Sequence, residues 1–85
     1  MTTQILGDEF DEALRLKLGE VLRQSGARMN EPAAHALGGS QESVSMVFDL
    51  DGEVLTVMSE TYIGLSIHGP EDLVLKIRRA VLDEP

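Results

Sequence analysis

The chain contains no cysteine, so neither a disulfide nor thiolate chemistry is available to it. It has no apolar run of eighteen or more residues, which excludes a membrane-spanning helix. The opening Met1-Thr2-Thr3-Gln4-Ile5-Leu6-Gly7-Asp8 lacks the basic region and apolar run of a secretory signal. Together these features fit a cytoplasmic address. Lys and Arg are absent from the whole stretch between Met29 and Leu75. No serine stands in a Gly-x-Ser-x-Gly setting and no glycine run fits a phosphate loop, so the familiar hydrolase and nucleotide motifs are missing.

What remains is short and acidic. Eighty-five residues make one domain. A chain of this size buries roughly 60 to 65% of its unfolded surface, so its core is thin and a dimer interface would add to it. Fifteen acids face seven bases, a net charge of −8. The base-free stretch holds Glu31, Glu42, Asp49, Asp51, Glu53, Glu60, Glu71 and Asp72. Such a field repels phosphate backbones and anionic lipid and attracts basic partners. The same charge also serves solubility.

Hydrophobic spacing gives the elements. Residues 1–7 read as a flexible tail. A helix starts with Asp8 as N-cap, followed by Glu9, Asp11 and Glu12 near the positive end of its dipole. Phe10, Leu14, Leu18, Val21 and Leu22 form its apolar stripe, and Gly26 stops it. Leu16 points off the stripe. Gly19 inside the helix costs about 1 kcal/mol against alanine unless something packs closely there. A second surface, such as a partner subunit, would account for both. Asn30 to Gly38 reads as a short helical turn, and residues 38–42 as a flexible linker.

The clearest signal lies between Ser43 and Ser59. Val44, Met46, Phe48 and Leu50 alternate, Asp51-Gly52 follows, and a second alternating run begins at Glu53. A two-residue Asp-Gly loop predicts a hairpin pairing Leu50 with Glu53, Phe48 with Leu55, Met46 with Val57 and Val44 with Ser59. A third strand over 62–68 directs Ile63, Leu65 and Ile67 inward. Placing Ile63 opposite Val57 requires a three-residue loop at Ser59-Glu60-Thr61. Gly69 then caps a last helix, with Pro70 at its first position, Glu71 and Asp72 in its first turn, and Leu73, Val74, Ile77 and Val81 as its stripe. Leu75 and Leu82 fall off that stripe. The expected fold is α+β: helix, three-stranded antiparallel meander, helix, with both helices on one face of the sheet. The opposite face would carry Ser45, Val47, Asp49, Val54, Thr56, Met58, Tyr62, Ser66 and His68. That mixture is too apolar for an idle solvent face.

Val47-Phe48-Asp49-Leu50-Asp51-Gly52 resembles the first motif of haloacid-dehalogenase-like hydrolases. That resemblance would make Asp49 a nucleophile and Asp51 an acid/base beside magnesium. Only 33 residues follow Gly52, too few for the doubly wound sheet that such chemistry stands on, and the hairpin reading takes precedence. A calcium loop with Gly52 as its invariant glycine would put Val47 and Met58 at ligand positions, which neither can fill. His68-x-x-Glu71 offers two metal ligands and no evident third. The element order is also that of double-stranded RNA-binding domains. Around Lys76, Arg78 and Arg79, however, stand Glu71, Asp72, Asp83 and Glu84, and the loops are acidic.

The expectation is therefore a non-enzymatic protein-binding module with neither cofactor nor metal. Asp49, Asp51, Glu53 and Glu60 would supply charge, and Met58 and Tyr62 apolar anchors, against a basic protein. An inhibitor or immunity-type protein that neutralises a toxin or a nucleic-acid-binding machine has this character. A homodimeric assembly or chaperone-like subunit using its apolar sheet face is the alternative. Direct nucleic-acid and membrane partners are not expected, and a homodimer is possible.

Overall fold

The structure is a computed structural model. It describes residues 1–8, 10–38, 41–61 and 63–82, with the backbone alone over 30–38 and 41–42. Its elements run β1 (Thr2–Gly7), α1 (Glu12–Gln24), β2 (Arg28–Gly38), β3 (Gln41–Leu50), β4 (Glu53–Glu60), β5 (Gly64–Gly69) and α2 (Glu71–Leu82). The strands form one five-stranded sheet in the order β1-β5-β4-β3-β2, and every neighbouring pair is antiparallel. The α+β class is as expected, while the sheet has five strands in place of three.

The turn at Asp51-Gly52 forms as its residues require. Asp51 has φ 51° and Gly52 φ 85°. Two successive left-handed residues are the signature of a type I′ turn, whose twist matches that of the flanking strands. All four expected pairs follow from it: Leu50 with Glu53, Phe48 with Leu55, Met46 with Val57, and Val44 with Ser59.

The next connection differs in place, though its length is as expected. Three residues, 61–63, separate the last pair of β4 and β5, Glu60 with Gly64. Val57 therefore faces Ile67 and not Ile63. Alternation tolerates any even slip, because Leu65 and Ile67 point inward in either register. What selects the register is Gly64. Its φ of +115° favours glycine, and the backbone of Gly7 presses against it. The Ile63 amide donates to the Glu60 carbonyl at 3.1 Å, closing the loop. Ile63, expected in the core, is left 48% exposed.

Both ends of the first helix are set by local hydrogen bonds. The N-cap is Asp11 and not Asp8, because its Oδ1 accepts from the Leu14 amide at 3.0 Å. Asp8 instead accepts from the Phe10 amide at 2.9 Å in the preceding turn. Phe10 thereby falls outside the helix and is 76% exposed, a correction to the expected stripe. At the other end Ala27 N donates to Leu22 O at 3.0 Å and Gly26 N to Arg23 O at 3.1 Å, a Schellman motif that places Gly26 where the stop was expected. The last helix begins one residue later than its Gly69 cap implied, since the Pro70 carbonyl accepts from Val74 N at 2.9 Å.

Two strands occupy segments that were expected to be irregular. Thr2–Gly7, read as a tail, pairs with β5 from Thr2 opposite Gly69 to Gly7 opposite Leu65, with a register shift between Ile5 and Gly7. Leu6 lies in that shift and is buried. Arg28–Gly38, read partly as a helical turn, pairs with β3 down to Gly38 opposite Gln41. Pro32 falls within the register shift between Glu31 and Ala34, on an edge strand, where a missing amide is tolerated. Gly38, Gln41 and Glu42, expected within a linker, are strand residues. Gly39 and Ser40 lie outside the described residues.

Both helices pack on one face, as expected. Leu18, Val21 and Leu22 of α1 meet Leu73, Val74, Ile77 and Val81 of α2 over Leu50, Leu55, Val57, Leu65 and Ile67. The largest fully buried side chains are Leu55, Ile67, Ile77, Val57 and Val74, so the core centres on β4 and β5. Met46 and Phe48 of β3 are only partly buried. Of the three off-stripe leucines, Leu82 packs against the core, Leu75 is half-buried, and Leu16 alone is left in solvent.

The Gly64→Ala substitution should lower unfolding free energy by about 2 kcal/mol or more, since it adds positive-φ strain to a collision with the Gly7 backbone. A urea titration followed by circular dichroism would measure it. An unchanged midpoint would mean that β1 is not held against β5 as described.

Candidate protein-interaction surface

The residues expected to bind a partner divide between two parts of the surface. Asp51 and Glu53 are exposed at the tip of the β3–β4 hairpin. The tip leans on the start of α2, and a shallow cleft there is lined by Ser25, Leu50, Asp51, Glu53, Asp72, Leu73, Lys76 and Ile77. Asp51, Glu53 and Asp72 thus converge at the hairpin tip, with Lys76 the one base among the described residues that line the cleft. Asp72 had been expected to favour the N-terminus of its helix and to add to the acidic field, without being placed among the partner-binding residues. Its position beside the hairpin tip follows from packing between elements some twenty residues apart in sequence.

Asp49, Met58 and Glu60 lie on the sheet face away from the helices. Cross-strand register places Met58 between Ser45 and Ser66, Thr56 between Val47 and His68, and Asp49 between Arg28 and Val54. This is the mixed face expected from the alternation. On this face Thr3 Oγ1 and His68 Nδ1 share a hydrogen bond of 2.6 Å across β1 and β5. Glu60 sits at the far end of β4 from Glu53, roughly 23 Å away at the usual strand rise. Glu60 and the hairpin tip therefore do not form a single patch. Tyr62, the expected aromatic anchor, lies outside the described residues.

Asp49 is the unusual member of this face. Its Oδ1 is buried without a hydrogen-bond partner among the described residues. A buried acceptor left unpaired costs about 1–3 kcal/mol. A carboxylate within a strand is also poor strand chemistry. Residues that break local rules in this way are often retained for function.

The Asp49/Asp51 motif sits in a hairpin of an antiparallel sheet, with Asp49 on the helix-free face and Asp51 in the turn. His68 is engaged with Thr3. Among the described residues, no three His, Asp or Glu side chains come together to hold a metal ion. Nor is any helix there long and apolar enough to cross a membrane.

A second feature was not evident from the sequence. α2 packs over β1 and β5 with α1 beside it, leaving the helix-side face of β3 partly bare. An open groove of about 120 Å³ follows, floored by Val44, Met46 and Phe48 and walled by Leu18, Gly19 and Leu22, with Arg15 at its rim. Among the described residues, no carboxylate lines it. The signal for it would have been the strand count, since an expected three-stranded sheet leaves nothing for two helices to miss.

Comparison of the chain with protein-family models, with curated proteins and with solved structures finds no match.

The Asp49→Thr substitution should raise unfolding free energy by about 1 kcal/mol, by removing the unpaired acceptor and adding a β-branched strand residue. Urea unfolding of the two proteins under identical conditions tests this. A loss of stability would mean that the carboxylate has a partner that compensates its burial.

Proposed function

We propose that the protein is a non-enzymatic protein-binding module whose acidic surface recognises a basic protein. The observation that carries this reading is the convergence of Asp51, Glu53 and Asp72 at the exposed hairpin tip. A net charge of −8 and a base-free stretch from Met29 to Leu75 extend the same sign well beyond that tip. Three carboxylates on rigid elements, a tight turn and the first turn of a helix, present charge with little entropy left to lose on binding. The long-range field steers a cationic partner toward them and gives association that weakens with salt. An inhibitor or immunity-type role, neutralising a toxin or a nucleic-acid-binding machine, is the biological form that suits such a domain.

The groove beside α1 favours a second reading, in which an assembly or chaperone-like subunit holds an apolar segment against Val44, Met46 and Phe48. The two readings place the partner on different surfaces and differ in salt response.

The test is affinity capture from the native host's lysate at about 0.05 M and about 0.5 M salt, conditions that change the screening length severalfold. The triple variant Asp51→Asn/Glu53→Gln/Asp72→Asn runs beside the native chain. Asparagine is at home in a type I′ turn, so the hairpin survives. The acidic reading expects a basic protein that is released at high salt and bound at least about tenfold more weakly by the variant. A partner indifferent to both changes would overturn it in favour of the groove.

A further inference from the structure

We propose that the protein forms a symmetric homodimer in which the outward faces of two α1 helices pack antiparallel, each Leu16 seated over Gly19 of the other copy. This interface does not use Asp51, Glu53 or Asp72 and so stands or falls independently of the acidic reading above, while at Gly19 it adjoins the groove.

The inference begins with two residues that the fold of one chain does not explain. Leu16 is 75% exposed. At 100° per residue it lies on the side of α1 nearly opposite Leu18, Val21 and Leu22, which face the core. Gly19 is also exposed, and a side chain built there would meet nothing within 4 Å. Mid-helix glycine costs about 1 kcal/mol against alanine, and close packing within the chain is not what it provides for.

Glu12, Leu16 and Arg23 fall on this outward strip of the helix and Gly19 at its groove-side edge, separated alternately by four and three residues. That alternation is the spacing of a helix–helix seam. An antiparallel arrangement with a two-fold axis midway between Leu16 and Gly19 reverses the order of the strip. Leu16 of each copy then meets Gly19 of the other, so a protruding side chain fills the space left by a missing one. Glu12 of each copy meets Arg23 of the other, so both ends carry opposite charges. The strip is therefore complementary to itself, as a two-fold interface must be. A parallel arrangement would set Glu12 against Glu12 and Arg23 against Arg23, and would leave glycine facing glycine.

Charge selects this face for a second copy. Two chains of net charge −8 repel each other. The strip itself is neutral, with one acid and one base. Within its own helix Arg23 makes a single loose ion pair, with Glu20 at 4.0 Å and both side chains mostly in solvent. Such a pair contributes little and leaves the guanidinium able to turn outward.

Sedimentation velocity of the full chain between about 1 µM and about 1 mM is the test, a range that covers weak to moderate association. The expected result is a concentration-dependent species of twice the chain mass. Leu16→Lys and Gly19→Leu should each weaken self-association by roughly 30-fold or more, as a central anchor does. Both positions are exposed, so the fold should persist, and thermal melts of the monomers would verify it. Glu12→Arg should weaken the dimer, and adding Arg23→Glu should restore it. A chain that stays monomeric throughout overturns the proposal. So does a dimer unaffected by Leu16→Lys and Gly19→Leu, and a charge swap without rescue overturns the antiparallel arrangement.

Discussion

Two consecutive residues in the left-handed region, Asp51 and Gly52, leave the β3–β4 hairpin one register to adopt. That register sends Leu55 and Val57 to the helix side and Thr56 and Met58 to the other. A slip of one residue would exchange the two faces and expose the centre of the core. β5 inherits the arrangement through Val57 opposite Ile67, and β1 inherits it from β5 through Ile67 opposite Gln4. α2 then closes over the apolar surface so formed, with Val74 and Ile77 completely enclosed. In a chain with so little core, the order of the sheet rests on this short turn.

The same economy leaves surfaces uncovered. With α2 over β1 and β5 and α1 beside it, the two helices do not reach across all five strands, and Val44, Met46 and Phe48 of β3 are only partly buried. The sheet edges are interrupted by irregularities: β1 shifts register around Leu6, and β2 does so on both sides of Glu31, next to Pro32. Irregular edges resist pairing with other chains. Association through the helical side or through charge is less obstructed than extension of the sheet.

The functional reading combines two physical characters at separate places. The hairpin tip and the first turn of α2 concentrate negative charge, which acts over distance and gives way to salt. The outward face of α1 carries a nearly neutral strip with a protruding leucine and an open glycine, which acts only on contact. A dimer built on that strip would present two acidic ends, and bivalent engagement raises apparent affinity without new contacts when geometry allows it.

The sequence by itself determined what depends on neighbours along the chain. The Asp-Gly turn, the hairpin register, the glycine stop of α1 and the inward stripe of α2 are all settled within a few residues, and each was legible. The exposed, off-stripe Leu16 and the mid-helix Gly19 were legible for the same reason, as departures from a local pattern. Tertiary structure decided what depends on distant partners. Thr2–Gly7 is a strand because β5, some sixty residues away, supplies its hydrogen bonds. Residues 28–38 form a strand because β3 does the same, against the local signals of Pro32 and the alanines. The β4–β5 register turned on the close approach of Gly64 to Gly7, which alternation cannot encode. The site divided for a similar reason. Sequence could count the acids between Met29 and Leu75, but only packing brought Asp72 to Asp51 and Glu53 and left Glu60 at the far end of its strand.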